Sequence, residues 1–200
     1  MSPHALRFAR WGAIALAGLF LGGIVHVAAV MSVPAVVPQT AHARVAVFGP
    51  DGVFNRLPET RAGAEPLPLL DPQMLHAACR FDLARGPLRI EAALPPPFWS
   101  FALFNARGEA VYSLNDRTSG NDGRLDVLVL TPQQLSLLRE NPPPGLEDLI
   151  VIETAEIQGY ALLRAFDGDP LNRARIIAEL EAARCATLGE ETPAPTLRDF

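Results

Sequence analysis

The chain has 200 residues, of which 49% are hydrophobic and 20% charged, and this composition excludes an intrinsically disordered protein. Its 19 prolines and 15 glycines imply many turns, which argues against a helical bundle or a coiled coil. From Arg44 onward there are 15 arginines and 22 acidic residues, a net charge of −7. This balance excludes nucleic acid as a partner, because neutralising phosphates requires a basic face.

The first feature along the chain is an apolar segment, residues 11–31, within a run of 33 residues that carry no formal charge. At about 1.5 Å per residue, its 21 residues span a hydrocarbon core of about 30 Å. Arg7 and Arg10 precede the segment, and the next arginine is Arg44. The positive-inside rule therefore predicts a transmembrane helix of the bacterial inner membrane, with residues 1–10 in the cytoplasm and the chain from about residue 35 onward in the periplasm.

A cleaved signal peptide is the alternative interpretation of the same segment. Residues 41–43, Ala-His-Ala, have the small-x-small form of a cleavage site. That site lies well beyond the apolar run, and the run is longer than a signal core of roughly 7–15 residues. The lengths favour an uncleaved anchor, with Pro34 and Pro38 ending the helix soon after the membrane.

Gly18, Gly22 and His26 recur every four residues and so share one face of this helix. The spacing of the two glycines is one that allows a second helix to approach closely, and His26 would hydrogen-bond across the contact. The alternative is ordinary glycine usage in a membrane span, with His26 close enough to the outer interface to reach water.

Residues 32–43 are predicted to be a linker, residues 44–188 an exported β-rich domain and residues 189–200 a flexible tail. Apolar runs separated by turn signals predict at least seven strands in the domain. The clearest runs are 77–83, 88–94, 99–104, 109–114, 125–130, 149–154 and 160–166. Between two of them, residues 105–108 read as a hairpin loop with Gly108 in the left-handed conformation.

Two helices are predicted beside these strands. Thr131-Pro132-Gln133-Gln134 combines an N-cap, a proline at the first helical position and a capping-box glutamine. Asp169-Pro170 is predicted to begin the second helix in the same way, and its apolar face comprises Ile176, Ile177, Leu180 and Ala183. Many short strands with two peripheral helices predict an antiparallel β-sandwich or jelly-roll-like domain.

Cys79 and Cys185 are the two cysteines, and an oxidising compartment favours a disulfide between them. To reach a core strand, the last helix would have to end or bend by about Arg184. His76 precedes Cys79 by three residues, but no second local pair of ligands accompanies them, so no metal site is predicted. No cofactor is expected either, since the chain contains no P-loop and no dinucleotide fingerprint.

The richest candidate site is the polar stretch 115–126. Asn115, Asp116 and Arg117 begin it, and Arg117 could clamp a carboxylate or a phosphate. Asp116, Asp122 and Asp126 are conceivable calcium ligands, although their spacing matches no EF-hand. The alternative is a long hairpin connection whose Asx residues cap its own turns.

Trp99 and Tyr112 are amphipathic aromatic residues in neighbouring predicted strands. They could line a ligand pocket together with the polar stretch. Such side chains more often fill the core of a sandwich, and that interpretation is favoured.

Several segments together resemble the short, membrane-anchored members of the family called domain of unknown function 1254. They are Cys79–Leu83, Gly86-Pro87, Phe98–Ser100, Tyr112–Arg117 and Leu128–Pro132, with the N-terminal span and the late cysteine. The resemblance implies an exported β-sandwich-like domain and no established activity. It also implies a membrane-protein partner, because longer relatives join this domain to a second domain of unknown function.

The leading functional hypothesis is an anchored envelope protein with a non-catalytic binding or interaction domain. The first alternative is an envelope enzyme that acts on an anionic or sugar-like small molecule through Asp116 and Arg117. The second is a structural subunit that stabilises a membrane partner through the Gly18/Gly22 face. A concave pocket that contains both Asp116 and Arg117 would favour the enzyme.

Overall fold

The computed structural model describes residues 3–36, 40–61, 63–119, 124–140 and 149–188. The chain divides into two compact units, residues 1–39 and residues 40–200. The described residues form four helices, namely α1 (Pro3–Val36), α2 (Ala41–Val45), α3 (Pro132–Glu140) and α4 (Arg173–Ala182). They also form nine strands, namely β1 (Asn55–Arg56), β2 (Met74–Asp82), β3 (Leu88–Ala93), β4 (Trp99–Asn105), β5 (Ala110–Asn115), β6 (Arg124–Leu130), β7 (Ile150–Glu153), β8 (Gln158–Phe166) and β9 (Arg184–Thr187).

Helix α1 makes up the first unit. Within it, Arg10–Ser32 is a segment of 23 residues with a mean hydropathy of 2.2, long and apolar enough to cross a membrane. A signal sequence near an N-terminus meets the same criterion of length and composition. The helix continues past Pro34 and ends at Val36, two residues before Pro38, which agrees with the predicted end soon after the apolar segment.

The second unit is a sandwich of two sheets. Sheet A has five strands in the order β1-β2-β8-β4-β5, and its neighbouring strands are antiparallel. Sheet B has the order β7-β6-β3-β9, and here β6 and β7 are parallel. The parallel pair departs from the antiparallel prediction because α3 lies between its two strands in the chain, which makes a β-α-β crossover. The mainly β sandwich is otherwise confirmed.

Alternation along the strands builds the core between the two sheets. In β4, Trp99, Phe101 and Leu103 point inward and are at most 1% exposed. Ile90 and Val127 of sheet B meet them from the opposite side, and both are fully buried. Alternate residues of β3 are buried in the same way, as in a half-buried strand, whereas β4 is buried on both faces.

The outer face of sheet A is covered over part of its area. Val45 of α2 and Leu57, Leu67 and Leu70 of the following segment pack on Tyr160 and other outward side chains of the sheet. The Arg80 Nε donates a 2.6 Å hydrogen bond to Asp51, which ties this covering layer to β2. Helix α2 begins at Ala41, inside the stretch 32–43 that the sequence predicted to be a linker, and ends at Val45 beyond it.

The hairpin between β4 and β5 confirms its turn prediction. Gly108 has a φ of 89°, and a Cβ built there would lie 2.8 Å from the Cβ of Ala41. Glycine is needed at this position both for its backbone conformation and for the close approach of α2.

The two domain helices begin differently. At α3 the capping box forms as predicted: the Gln134 N–H donates to Thr131 Oγ1 (3.2 Å), and the Thr131 N–H donates to Gln134 Oε1 (2.9 Å). Helix α4 begins at Arg173 rather than at Asp169-Pro170, because Asp169 instead caps a separate turn through the Leu171 N–H. Its predicted apolar face is confirmed, with Ile176 and Leu180 buried in the core.

Candidate functional site

The predicted disulfide is present and joins the two sheets. Cys79 points inward from β2, and Cys185 points inward from β9 at the edge of sheet B, with their Cα atoms 6.5 Å apart. Helix α4 ends at Ala182, and the chain then enters β9 as a strand beside β3. This change from helix to strand is the break before Cys185 that the sequence required.

Trp99 and Tyr112 do not form a pocket together. Trp99 is 1% exposed and belongs to the core, whereas Tyr112 is 36% exposed on the edge strand β5. Tyr112 is paired in register with Leu103, and the pair Phe101–Leu114 lies between it and Trp99. Two such steps along a strand separate the aromatic residues by about 13 Å. Trp99 is therefore a packing residue.

The polar stretch after β5 begins with a self-contained turn. The Asn115 Oδ1 accepts the N–H groups of Arg117 (3.0 Å) and Thr118 (3.2 Å), and the Thr118 Oγ1 bonds to the Asn115 main chain. This is the Asx-type capping that was the alternative to a ligand loop. Residues 120–123, with Asp122, lie outside the described part of the chain.

Asp116 and Arg117 point to different surroundings. Arg117 is exposed and forms no ion pair with any residue that the structure describes. Asp116 is half-buried, and its Oδ1 is buried with no hydrogen-bond partner in the described chain. Asp116 and Arg117 form no ion pair with each other in the described chain.

Calcium binding at this stretch also finds no support. Asp126 accepts two hydrogen bonds from Arg89, at 3.1 and 2.9 Å, across the pair β3–β6. Among the described residues there is no group of three acidic, histidine or cysteine side chains that could hold a metal.

A different site lies on the outer face of sheet A, where four polar side chains cross it in one line. His76 of β2 is paired with Arg164 of β8, Arg164 with Ser100 of β4, and Ser100 with Asn115 of β5. Directly opposed side chains have Cβ atoms about 5 Å apart. We call these four residues the polar row.

A cleft of about 400 Å³ opens over the polar row. Its lining combines hydroxyl, amide and charged groups with apolar side chains: Asp71, Met74, Phe98, Ser100, Ser113, Leu114, Asn115, Thr118 and Arg164. The volume falls within the range of roughly 300–1,000 Å³ that is common for small-molecule sites. Asn115 is thus the one predicted ligand residue that reaches the cleft, since Asp116, Arg117, Trp99 and Tyr112 do not line it.

Two groups of the polar row are buried without a partner in the described part of the chain. They are the Nε of Arg164 and the Nε2 of His76, a residue that is 2% exposed. Burial and then the positive charge of Arg164 lower the pKa of His76 to about 4, while Asp71 acts in the opposite direction. The imidazole is therefore neutral at neutral pH, and Arg164 is the one cation among the described cleft residues.

Arg164 was not among the residues predicted from the sequence, although its place in an apolar strand run marks it as unusual. Arg164 is a charged residue in the middle of the apolar strand run 160–166. Strand β8 is the central strand of sheet A, where a charge is costly unless it is paired or exposed to a ligand. A charged side chain at that position is therefore more informative than one in a polar loop.

The helix residues Gly18, Gly22 and His26 lie in α1, where their predicted contact stays a prediction. A Cβ built on either glycine would meet nothing within 4 Å, and the face they share is exposed.

A similar fold occurs among solved protein structures. The fold is similar to that of the VPA0106 protein from Vibrio parahaemolyticus, with a TM-score of 0.53 at 12% sequence identity, over 80% of this chain and 39% of that one. A second similar structure, an uncharacterised protein from Burkholderia cenocepacia, has a TM-score of 0.41 at 18% identity, over 59% of this chain and 32% of that one. The chain thus spans well under half the length of either protein.

The sequence comparison is more specific than these likenesses of fold. Among curated proteins, none matches the chain. The family described as "Protein of unknown function (DUF1254)" matches residues 54–185, which include both cysteines, the polar row and most of both sheets. The chain therefore belongs to the DUF1254 family.

Proposed function

We propose that this protein is a single-pass inner-membrane protein whose exported β-sandwich binds a small molecule, without catalysis, in the cleft over the polar row. The observation that carries the proposal is the cleft itself. It is lined by free hydroxyl groups and an arginine, and the polar row beneath it holds buried nitrogens that lack partners among the described residues. Buried polar groups are normally satisfied, so unpaired ones that cluster beside a cleft are a reason to expect a ligand there.

The spacing in the polar row favours binding over catalysis. A serine nucleophile needs its base within hydrogen-bond reach, about 2.6–3.2 Å. Arg164 lies between Ser100 and His76, so these two side chains stand two strands apart, about 10 Å. The enzyme hypothesis based on Asp116 and Arg117 loses its geometric support as well, because neither residue lines the cleft.

Blocking the cleft tests the proposal. A fragment library is screened by ligand-observed NMR against the full chain in a neutral detergent, and then against Ser113→Trp, which fills the cleft from β5. Tyr112→Trp is the matched control, because it adds an indole one residue away on the opposite face of the same strand. We expect bound fragments to be lost with Ser113→Trp and kept with Tyr112→Trp. A screen without hits, or hits indifferent to Ser113→Trp, would contradict the proposal.

The membrane topology in the proposal rests on Arg7, Arg10 and the apolar segment Arg10–Ser32. A periplasm-dependent reporter fused after Phe200 should be active, and protein isolated from cells should keep its N-terminal segment. A reporter active in the cytoplasm would overturn the orientation. A mature chain that begins at Arg44 would overturn the anchor.

We also propose that a membrane partner carries the companion domain known from longer relatives and that α1 contacts it through Gly18, Gly22 and His26. A β-branched side chain at Gly22 would hold the helices apart. We expect Gly22→Ile to reduce recovery of the partner from mild detergent, while Gly12→Ile, outside that spacing, leaves it unchanged. Equal recovery in both variants would remove the helix face from the proposal.

A further inference from the structure

The charges in the cleft indicate what kind of ligand it takes, if the binding function proposed above is accepted. Arg164 and Asp71 are the two charged residues among its described lining, and they form no ion pair with each other. Asp71 Oδ1 accepts the Gln73 N–H at 2.8 Å, so this carboxylate is already engaged by its own turn. Arg164, by contrast, has no acceptor among the described residues.

An unpaired arginine is unusual at the centre of a sheet. Arg164 is half-buried on β8, with a strand on each side, and its Nε–H is shielded from water. A buried donor without an acceptor destabilises the fold, because it has lost its hydrogen bonds to water. Three other arginines of the sandwich surface show how this cost is removed by pairing: Arg80 bonds to Asp51, Arg89 to Asp126, and Arg107 to Glu109. At Arg164 the acceptor is missing from the described chain, and a cleft opens where it would stand.

The net charge of the cleft favours a singly charged anionic ligand over a doubly charged one. One arginine and one aspartate leave the cleft close to neutral, and His76 beside Arg164 adds no charge at neutral pH. A singly charged anion can pair with Arg164 and leaves the cleft with a net charge of about −1. A doubly charged phosphate monoester would leave about −2 beside Asp71, which disfavours it more strongly.

The other lining residues describe the rest of the ligand. Met74, Phe98 and Leu114 offer apolar surface, and the Ser100 and Ser113 hydroxyls make no hydrogen bond with the described residues. A planar guanidinium pairs with a planar carboxylate through two parallel hydrogen bonds. We infer that the cleft binds a small organic monocarboxylate with an apolar body, and that Arg164 is the residue that holds its carboxylate.

The test uses hexanoate and phenylacetate as probes, with hexanamide and phenylacetamide as neutral equivalents of the same shape. Each is titrated against the full chain in neutral detergent, and the melting temperature and the dissociation constant are measured. We expect both acids to stabilise the protein and to bind at least about tenfold more tightly than their amides. Methyl phosphate, as the dianionic probe, should bind more weakly than the acids.

Two arginine variants make the test specific. Arg164→Met keeps much of the side-chain volume and removes the unpaired charge, so the unliganded variant should melt at the same temperature as the wild type or higher, while carboxylate binding falls at least about tenfold. Arg117→Ala is the matched control, because Arg117 is equally unpaired in the described chain but is exposed and lies outside the cleft. We expect it to bind the acids like the wild type.

The outcomes separate this inference from the proposal on which it rests. If Ser113→Trp abolishes fragment binding but acids and amides bind equally, or Arg164→Met binds acids normally, the cleft is a ligand site and the carboxylate inference is wrong. If Arg164→Met melts well below the wild type, Arg164 is a structural residue and the inference is also wrong. If no compound binds in a Ser113→Trp-sensitive way, both fail.

Discussion

The two faces of sheet A are made by alternate residues of the same strands, yet they differ in the polarity of their side chains and in what covers them. The inward face is apolar throughout, and the Cys79–Cys185 disulfide closes it against sheet B. The outward face is partly covered by an apolar layer and partly open, and its open part holds the polar row with two unpaired buried nitrogens. Packing accounts for the inward residues, whereas the outward face holds buried polar groups that have no partner in the described chain.

The largest expected effect comes from the inward face. Phe101 is fully buried between the sheets, so Phe101→Ala should lower the free energy of unfolding by about 3–5 kcal/mol through lost burial and the cavity left behind. Denaturant unfolding of the full chain, followed by Trp99 fluorescence in a Trp11→Phe background, measures it. Val111→Ala, at a partly exposed position of β5, is the control and should cost little. Equal losses in both variants would mean that the sandwich interior is not the stabilising core.

Removing the link between the sheets should have the next largest effect. The disulfide closes a loop between residues 106 apart, and its loss should cost about 2–5 kcal/mol, largely by freeing the unfolded chain. The double variant Cys79→Ala, Cys185→Ala avoids a free thiol and should lower the melting temperature by several degrees or more. Treatment of the wild type with a reductant should reproduce the shift and leave the double variant unchanged. A wild-type melting temperature insensitive to reduction would contradict this.

The outward face should show itself in the pH dependence of stability. The folded pKa of His76 is about 4 against an ordinary value of 6.5, so between these pH values the unfolded chain binds a proton that the folded chain does not. The contribution is fully present above pH 6.5 and is lost as the pH falls toward 4, by about 2–3 kcal/mol. As the pH falls through that window, we expect the unfolding free energy of the wild type to decrease relative to that of His76→Gln. A parallel pair of pH profiles would show that His76 is not held neutral by the fold.

The smallest expected effect concerns paired and unpaired surface arginines. Arg89 makes two hydrogen bonds to Asp126 on the outer face of sheet B, with both side chains about a third exposed. Arg89→Met should therefore cost only about 0.5–1 kcal/mol, and Arg117→Ala should cost nothing measurable. Arg164→Met is expected to leave stability unchanged or to increase it. The three variants together show which arginine charges contribute to the stability of the fold. A large loss for Arg117→Ala would reveal a structural role for that loop.

Much of the fold could be predicted because local signals act over a few residues. The strand run 99–104, the capping box at Thr131 and the left-handed Gly108 each depend on neighbours in the chain, and all three are confirmed. The start of α4 was misplaced because Asp169 can cap either a helix or a separate turn, and only packing of the core face decides which. Strand β7 was predicted as the run 149–154, but its parallel pairing with β6 was not, because strand direction depends on the path of the α3 crossover.

Of the residues that line the cleft, only Asn115 was predicted from the sequence as a ligand residue. The others were missed because strand register decides which residues meet across a sheet. The sequence by itself determined an apolar anchor candidate, an acidic β domain and two cysteines that an oxidising compartment would pair, since these follow from composition, from period and from the compartment. It directed attention to the loop residues Asp116 and Arg117, because polar loops are where binding residues are usually sought. Only the tertiary structure decided that His76, Arg164, Ser100 and Asn115, from four strands distant in the chain, stand in one row. Strand order and register arise from burying both sheets at once, and no single strand carries that information.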